Sequence, residues 1–518
     1  MDIGLFGHFV MDGLSLLSSL FVVAVGVFVL VLVLMFIADI GQTKDAIRRN
    51  YPVIGRFRYL FTALGEFFRQ YFFALDREEL PFNRAERDWV YRSAAGADNT
   101  IAFGSTRNLL APGTAIFVNC PFPTLDEDAM EAAEVTVGPF TPNPYRFKSL
   151  INISAMSYGA LSKPAVQALS KGAKMAGCWL NTGEGGLAPA HLEGGCDIVF
   201  QIGTAKYGVR THDGMLDEKR LRDVAAIPQV KMIELKLSQG AKPGKGGILP
   251  AVKVTPEIAK IRGIPVHADS ISPNRHPEID SVGDLLDCIG RVRAIAGKPT
   301  GFKSVIGAYG WLESMCQEIQ KRGLESAPDF ITVDSGDGGT GAAPMALMDN
   351  VGLPIKESLP LVVDILRRHG LRERIKVFAS GKLISPAEVA WALCAGADSV
   401  NSARGFMFAL GCIQSLKCNK NTCPTGITTH DRRLQRGLNP AGKSVRVANY
   451  VARLEKEVGI IAHSCGVPNP RALRRYHCRI VQADGRSIPM NELYPEISKS
   501  EQGAAVARAV FEPSEGTA

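Results

Sequence analysis

From about Lys148 onward the chain repeats one motif: a short β-branched or apolar run ends in small or polar residues, and a helical stretch follows. Candidate strands fall at 150–156, 179–183, 198–202, 232–237, 265–268, 301–305, 330–334, 376–379 and 398–401. Helical stretches lie between them, among them 163–176, 282–296, 355–369 and 386–395. Parallel strands need a crossover of a dozen or more residues, usually a helix, so repeated β-then-α predicts a parallel sheet covered by helices. The expected fold class is α/β, with an eightfold barrel. Nine candidate strands compete for eight places, so one lies outside it.

A second feature lies upstream. Leu14 to Ala38 carries no charged residue. At ~1.5 Å per residue such a helix spans roughly 37 Å, enough to cross a ~30 Å hydrocarbon core with some tilt. Only Asp2 and Asp12 precede it among charged residues, whereas Lys44, Arg48, Arg49, Arg56 and Arg58 follow. Positive flanks stay in the cytoplasm, so the expectation is a single-pass membrane protein with its catalytic part on the cytoplasmic side. A signal peptide would need a positive leader and a shorter apolar stretch. The run 59–75, YLFTALGEFFRQYFFAL, is aromatic and amphipathic; it either lies on the membrane surface or packs on the barrel.

The boundaries follow: a non-cytoplasmic N-terminus 1–13, a transmembrane helix 14–38, a juxtamembrane and cap region 39–146, the barrel 147–430 and a C-terminal helical extension and tail 431–518. Within the second half of the cap, 76–146 is Pro-punctuated and reads as an irregular lead-in. The net charge of +8 is modest for 518 residues, and no Lys/Arg block with interleaved aromatics points to nucleic acid. Eleven cysteines, an odd number without a regular framework, argue against a disulfide-stapled secreted protein.

Barrel chemistry sits where strands end. Polar residues gather there: Ser157, Glu184, Lys236, Gln239, Lys303, then Asp334-Ser-Gly-Asp337-Gly338-Gly339-Thr340. The last two candidate strands run into Ser380-Gly381-Lys382 and Ser402-Ala-Arg404-Gly405. Small residues there let backbone N–H groups face a phosphate, which barrels commonly hold after strands seven and eight. Cys412, Cys418 and Cys423 form C-x5-C-x4-C before Pro424. Three thiolates in one loop can hold an iron–sulfur cluster; structural zinc would need a fourth ligand such as His430. The other eight cysteines read as core or incidental residues.

Taken together these residues resemble the FMN-binding synthase domain of glutamate synthase. The resemblance is carried by ISAMSYGALS (153–162), NTGEGG (181–186), LKLSQGAKPGKGGILP (235–250), ITVDSGDGGTGAAP (331–344) and ALGCIQSLKCNKNTCPTG (409–426), over about 148–430. It implies a (β/α)8 TIM barrel of the FMN-binding type and a [3Fe-4S] cluster on Cys412, Cys418 and Cys423. Its reaction reduces 2-iminoglutarate, formed from 2-oxoglutarate and ammonia, to glutamate. The resemblance places Lys242 and Arg262 on the substrate carboxylates, with Gln239 beside them. Lys236 falls close to flavin and substrate, and Glu184 at the substrate pocket for proton transfer or ammonia guidance. Met156, Ser157 and Lys303 would meet the flavin, and Asp337, Gly338, Gly339, Ser380, Gly381, Ser402, Arg404 and Gly405 its phosphate side.

Two departures stand out. Ile248 replaces the family's glutamine before Leu-Pro, and Ser380-Gly381-Lys382-Leu replaces Gly-Gly-Leu. No amidotransferase cysteine and no G-x-G-x-x-G after a strand is visible, so nitrogen and electrons are expected from elsewhere. Candidate suppliers are ammonium, an ammonia-supplying subunit, ferredoxin, a reductase subunit or a membrane donor. Ile248 admits a related enzyme acting on another 2-oxo acid or an amine. The apolar segment admits a membrane-bound flavin and iron–sulfur electron-transfer module.

Overall fold

The computed structural model describes residues 3–68, 71–72 and 75–495. The expected tail beyond 495, and residues 69–70 and 73–74 of the amphipathic run, lie outside the described residues. The chain divides into two compact units, Met1–Ala85 and Glu86–Ala518.

The first unit holds α1 (Ile3–Gly41), α2 (Ala46–Asn50) and α3 (Gly55–Phe68). Met11–Gly41 is long and apolar enough to cross a membrane, with none of its most apolar window buried. The expected segment 14–38 lies inside it. Asp45 caps α2 by accepting from the amides of Ile47 and Arg48.

In the second unit eight parallel strands close a barrel: β1 Ile151–Ile153, β2 Leu180–Asn181, β3 Ile198–Ile202, β4 Val230–Lys236, β5 Thr300–Val305, β6 Phe330–Asp334, β7 Lys376–Ser380 and β8 Ser399–Ser402. Each pairs with its sequence neighbours, and β8 closes on β1 through Val400↔Ile151 to Ser402↔Ile153. The ninth candidate, 265–268, forms no strand; it is a turn ahead of the short strand Ser270–Ile271, which pairs with Ile248–Leu249 outside the barrel. Val266 and His267 sit in an exposed loop, and the φ of 57° at His267 takes the backbone out of the extended region, so the segment cannot run as a buried barrel strand.

Helix boundaries follow local chemistry. Lys163–Ala176 starts at Ser162, whose side chain accepts from the Ala165 amide, and stops at left-handed Gly177. Val282–Ala296 and Pro386–Ala395 each open with a capping box, Ser281/Asp284 and Ser385/Glu388, and close on a glycine.

Much of the lead-in 76–146 is irregular, as expected, but it also contains elements that local sequence did not announce. The helix Arg84–Ala94 belongs to it, and Ala115–Phe117 pairs with Cys478–Val481 of the C-terminal extension. A hairpin of Val135–Val137 and Tyr145–Phe147 plugs the N-terminal mouth of the barrel. Val137, Tyr145 and Phe147 pack there on Trp179, Val199, Met232, Phe330 and Phe378. The Phe147–Trp179 and Trp179–Phe378 ring centroids lie 4.8 and 5.1 Å apart, and each such pair contributes about 0.5–1.5 kcal/mol beyond area burial. The C-terminal extension carries the long helix Pro440–Ser464, which lies close against Lys163–Ala176: a Cβ on Gly172 would meet Val447 Cβ at 2.5 Å.

Candidate active site

Charge collects at the opposite mouth. β4 ends on Lys236, and the turn after β2 presents Glu184; the two side chains pair at 2.8 Å and both are almost buried. Lys236 also donates to Gln239 Oε1 at 2.5 Å. Two glycines make room for the carboxylate: a Cβ on Gly203 would lie 2.6 Å from Glu184 Cβ, and one on Gly247 would lie 2.3 Å from Glu184 Oε1. Burial by itself pushes the Glu184 carboxyl up, but Lys236, then Lys242 and Arg262, outweigh it and hold the group below the usual carboxylate range.

Lys242 and Arg262 act on the same carboxylate through their charge. Burial, then the charge of Lys236, pulls the Lys242 ammonium down to about 8, against the opposing pull of Glu184. Arg262 donates to Ser270 Oγ at 2.9 Å and to the Tyr158 carbonyl at 3.2 Å, with its guanidinium over the Tyr207 ring. Its Nε is buried without a hydrogen-bond partner. Three cations therefore act on one carboxylate, an excess that suits a dianionic ligand.

Around the rim from this group, Lys303 on β5 pairs with Asp334 at the end of β6 at 3.0 Å. The Gly240 amide donates to the same Asp334 carboxylate at 3.0 Å. Met156 and Ser157, after β1, lie against Gly183, where a Cβ would meet the Ser157 nitrogen at 2.5 Å. After β7, Gly381 takes a φ of 143°, and a Cβ there would strike Ser335 Cβ at 2.2 Å. Lys382 pairs with Asp337 at 2.8 Å, and Arg404 donates to the Asp337 carbonyl at 3.3 Å. Gly339 lies against Arg404, and Gly405 against Tyr450 and Ser402. Gly338 packs on Gly240 and Ser335. Bare backbone beside Lys382 and Arg404, with Lys303 along the rim, has the chemistry to accept a phosphorylated, flat, electron-accepting cofactor.

The loop after the helix Arg404–Leu410 carries Cys412, Cys418 and Cys423, with Gln414, Leu416 and Asn421 at positive φ. The thiols feel one another: burial pushes Cys412 up to about 12, and the charges of Cys418 and Cys423 add to that rise. Cys423 is drawn the other way; burial raises it, but hydrogen bonds from Thr425 and Thr428 prevail. Among the described residues no three His, Cys, Asp or Glu side chains are already gathered at metal-ligand spacing. The donor set, three thiols in one short loop, suits a cluster with three protein ligands rather than a four-ligand zinc site. His430 is engaged elsewhere, with its Nε2 2.7 Å from the Gly159 carbonyl.

Several participants escaped the sequence reading. Glu234, inside β4, is fully buried and accepts from Asn181, Gln201 and Thr332 at 2.6–2.8 Å. A carboxylate within a continuous apolar strand was the signal for it. Lys253 donates to the carbonyls of Ala160 at 2.8 Å and Cys418 at 3.3 Å, tying the cysteine loop to the barrel rim. His276 Nε2 lies 3.1 Å from the Lys236 carbonyl. No local pattern marks either residue. A hollow lined by Phe140, Arg291 and Arg322 lies apart from all of these residues.

Residues 123–468 match the model of a conserved region in glutamate synthase. The glutamate synthase large subunit-like protein YerD of Bacillus subtilis is 38% identical over 521 residues, covering 92% of this chain and 98% of that one. An archaeal glutamate synthase [NADPH] of Methanocaldococcus jannaschii is 34% identical over 348 residues, covering 67% of this chain and 64% of that protein, just under two thirds of its length. Among solved structures, a mutant flavocytochrome b2 with pyruvate bound aligns over 80% of this chain and 88% of that one, at 16% identity and a TM-score of 0.44. The barrel assignment rests on strand pairing rather than on that likeness.

Proposed function

Because this chain belongs to the glutamate synthase family, we propose that it is an oxidoreductase using FMN and a [3Fe-4S] cluster to reduce 2-iminoglutarate, formed from 2-oxoglutarate and ammonia or glutamine nitrogen, to glutamate. The observation that carries this reading is the nearly buried Glu184–Lys236 pair, with the charges of Lys242 and Arg262 acting on the same carboxylate. Lys242 and Arg262 bind the two substrate carboxylates, and Gln239 keeps Lys236 aimed at the pocket. Lys236 and Glu184 hold the proton that the new amine nitrogen takes up. The chemistry supplied by the bound groups is hydride donation to the imine carbon from the flavin and one-electron refilling from the cluster.

Met156, Ser157 and Lys303 would line the flavin, with Lys303 beside the ring edge where negative charge accumulates. Asp337, Gly338, Gly339, Ser380, Gly381, Ser402, Arg404 and Gly405 would hold its phosphate side, with Lys382 turning from Asp337 toward the phosphate. Cys412, Cys418 and Cys423 would hold the cluster. We further propose that α1 anchors the enzyme as a single membrane span with the barrel in the cytoplasm. Electrons then come from ferredoxin, a reductase subunit or a membrane donor, and ammonia from solution or a separate subunit.

A second reading has a specific support. Ile248 adjoins Gly247, which abuts Glu184, and it stands where the family usually has glutamine. An apolar side chain there favours another 2-oxo acid or an amine as substrate. Purification in detergent, with flavin identification, iron and sulfide analysis and low-temperature EPR, tests the cofactors. Turnover on a panel of 2-oxo acids with ammonium and reduced dye separates the substrates. Glutamate formation from 2-oxoglutarate is expected; a colourless, zinc-loaded protein defeats the whole reading.

A further inference from the structure

The N-terminal unit exposes what the barrel unit hides. Along α3 and just beyond it, Phe57, Phe61, Leu64, Phe68, Phe72 and Leu75 recur at intervals of three or four residues, and each is at least 39% exposed. Phe61, Phe72 and Leu75 reach 65–66%. Neighbouring rings of this stripe touch one another, Phe57 with Phe61 and Phe68 with Phe72. Large apolar residues at this spacing, contiguous and facing outward, need an apolar phase to cover them.

The way α3 is attached says which phase. Asp39, near the end of α1, has no exposed surface and is chelated by Arg48 at 2.6 Å and Arg56 at 2.7 Å, while the Val53 amide donates to its second oxygen at 3.1 Å. Tyr59 closes the turn by donating to Asp45 at 2.5 Å. A Cβ on Gly55 would lie 2.9 Å from the Ile47 carbonyl, so α2 and α3 meet at close range. The carboxylate clamp therefore fixes α3 within a few residues of the point where the apolar span Met11–Gly41 ends. Asp39 engages Arg48 and Arg56, whereas Lys44, Arg49 and Arg58 stand exposed among the described residues.

We propose that α3 lies in the headgroup layer of the leaflet at which α1 ends, with its aromatic stripe at the acyl boundary and Lys44, Arg49 and Arg58 facing anionic lipid. The proposal rests on the reading of α1 as a membrane span. An amphipathic helix with aromatic residues on one face and basic residues beside it binds in this plane, and each basic residue near an anionic surface adds about 1 kcal/mol.

The test uses the full chain reconstituted into phosphatidylcholine vesicles with and without phosphatidylserine. A single reporter, Phe61→Trp, is read as the difference from the parent chain, with Phe57→Trp as a second reporter. Brominated acyl chains should quench the added emission about two-fold, more strongly with the anionic lipid. Blue-shifted emission that bromine leaves untouched would mean that α3 packs on protein, the barrel unit or a second copy, and would overturn the proposal. Equal quenching on neutral and anionic vesicles would overturn the headgroup part. Alkaline carbonate separates the two readings: quenching in a protein that carbonate strips from vesicles leaves α3 as proposed and refutes the span, whereas retention without quenching does the reverse.

Discussion

The two mouths of the barrel are built from opposite materials. At the N-terminal mouth Phe147, Trp179, Phe330 and Phe378 interlock beneath a hairpin. At the C-terminal mouth Lys236, Lys242, Arg262, Lys303 and Asp334 are buried but charged, and Glu184 is nearly so. The apolar end gains free energy from every contact. The charged end gives some of it up, because each ion leaves water and is only partly compensated by its partners. Stability is concentrated at the plugged mouth, and the mouth proposed to react is held in shape by the scaffold beneath it.

The sharpest way to break this contrast is Lys236→Met. It strands Glu184 as a nearly buried, less compensated carboxylate and removes the side chain proposed to stand at the reacting atoms. Turnover should drop about 10²–10⁴-fold, and denaturant titration should show a loss of about 3–5 kcal/mol that Glu184→Gln in the same chain largely restores, with turnover still lost. At the other mouth Trp179→Ala should cost about 3–5 kcal/mol from the cavity it leaves. Its effect should appear in Tm, with the KM for the 2-oxo acid unchanged; a KM change as large as the stability change would show that the two ends are not independent.

Lys242 gives a smaller, pH-resolved effect. Burial, first, and Lys236 lower its ammonium from 10.5 to about 8. A dicarboxylate ligand should therefore bind progressively more weakly as pH rises through about 8, and Lys242→Met should abolish that inflection in a fluorescence titration. For stability the sign is opposite. Between pH 8 and 10.5 the unfolded chain holds more protons at this position, so its contribution to stability rises with pH across that window. The penalty for burying the charged lysine is full below pH 8, and the stability difference between Lys242→Met and the parent should change by that amount across the window. The smallest expected effect belongs to Tyr145→Phe in the plug, which removes a 2.9 Å bond to Asp197. It should cost about 1 kcal/mol by denaturant titration and leave turnover intact.

Much of the barrel was legible because its signals are local. Ser162 with Gly177, Ser281 with Gly297 and Ser385 with Gly396 mark helix ends within the sequence itself, and the expected helices 163–176, 282–296 and 386–395 coincide with those found. Strands 198–202 and 330–334 coincide as well. The reading failed at 265–268, where four residues cannot distinguish a strand from a turn, and in the lead-in, whose strands are three residues long and exist only through distant partners. In the site, Glu184 and Lys236 meet and the charges of Lys242 and Arg262 reach the same carboxylate, while Lys253 and His276 take part through contacts that no spacing announces.

By itself the sequence determined the periodic and the covalent: alternating strands and helices, caps, an uninterrupted apolar segment, and three thiols in one loop. Those depend on residues near one another in the chain, so composition and spacing suffice to express them. Only the tertiary structure decided which strand was surplus, that an aromatic hairpin closes the lower mouth, and that three cations share one carboxylate. Those are contacts between residues well separated in the chain, such as Lys236 with Glu184 and Phe147 with Phe378; their energy depends on distance and burial in three dimensions, which linear order does not encode.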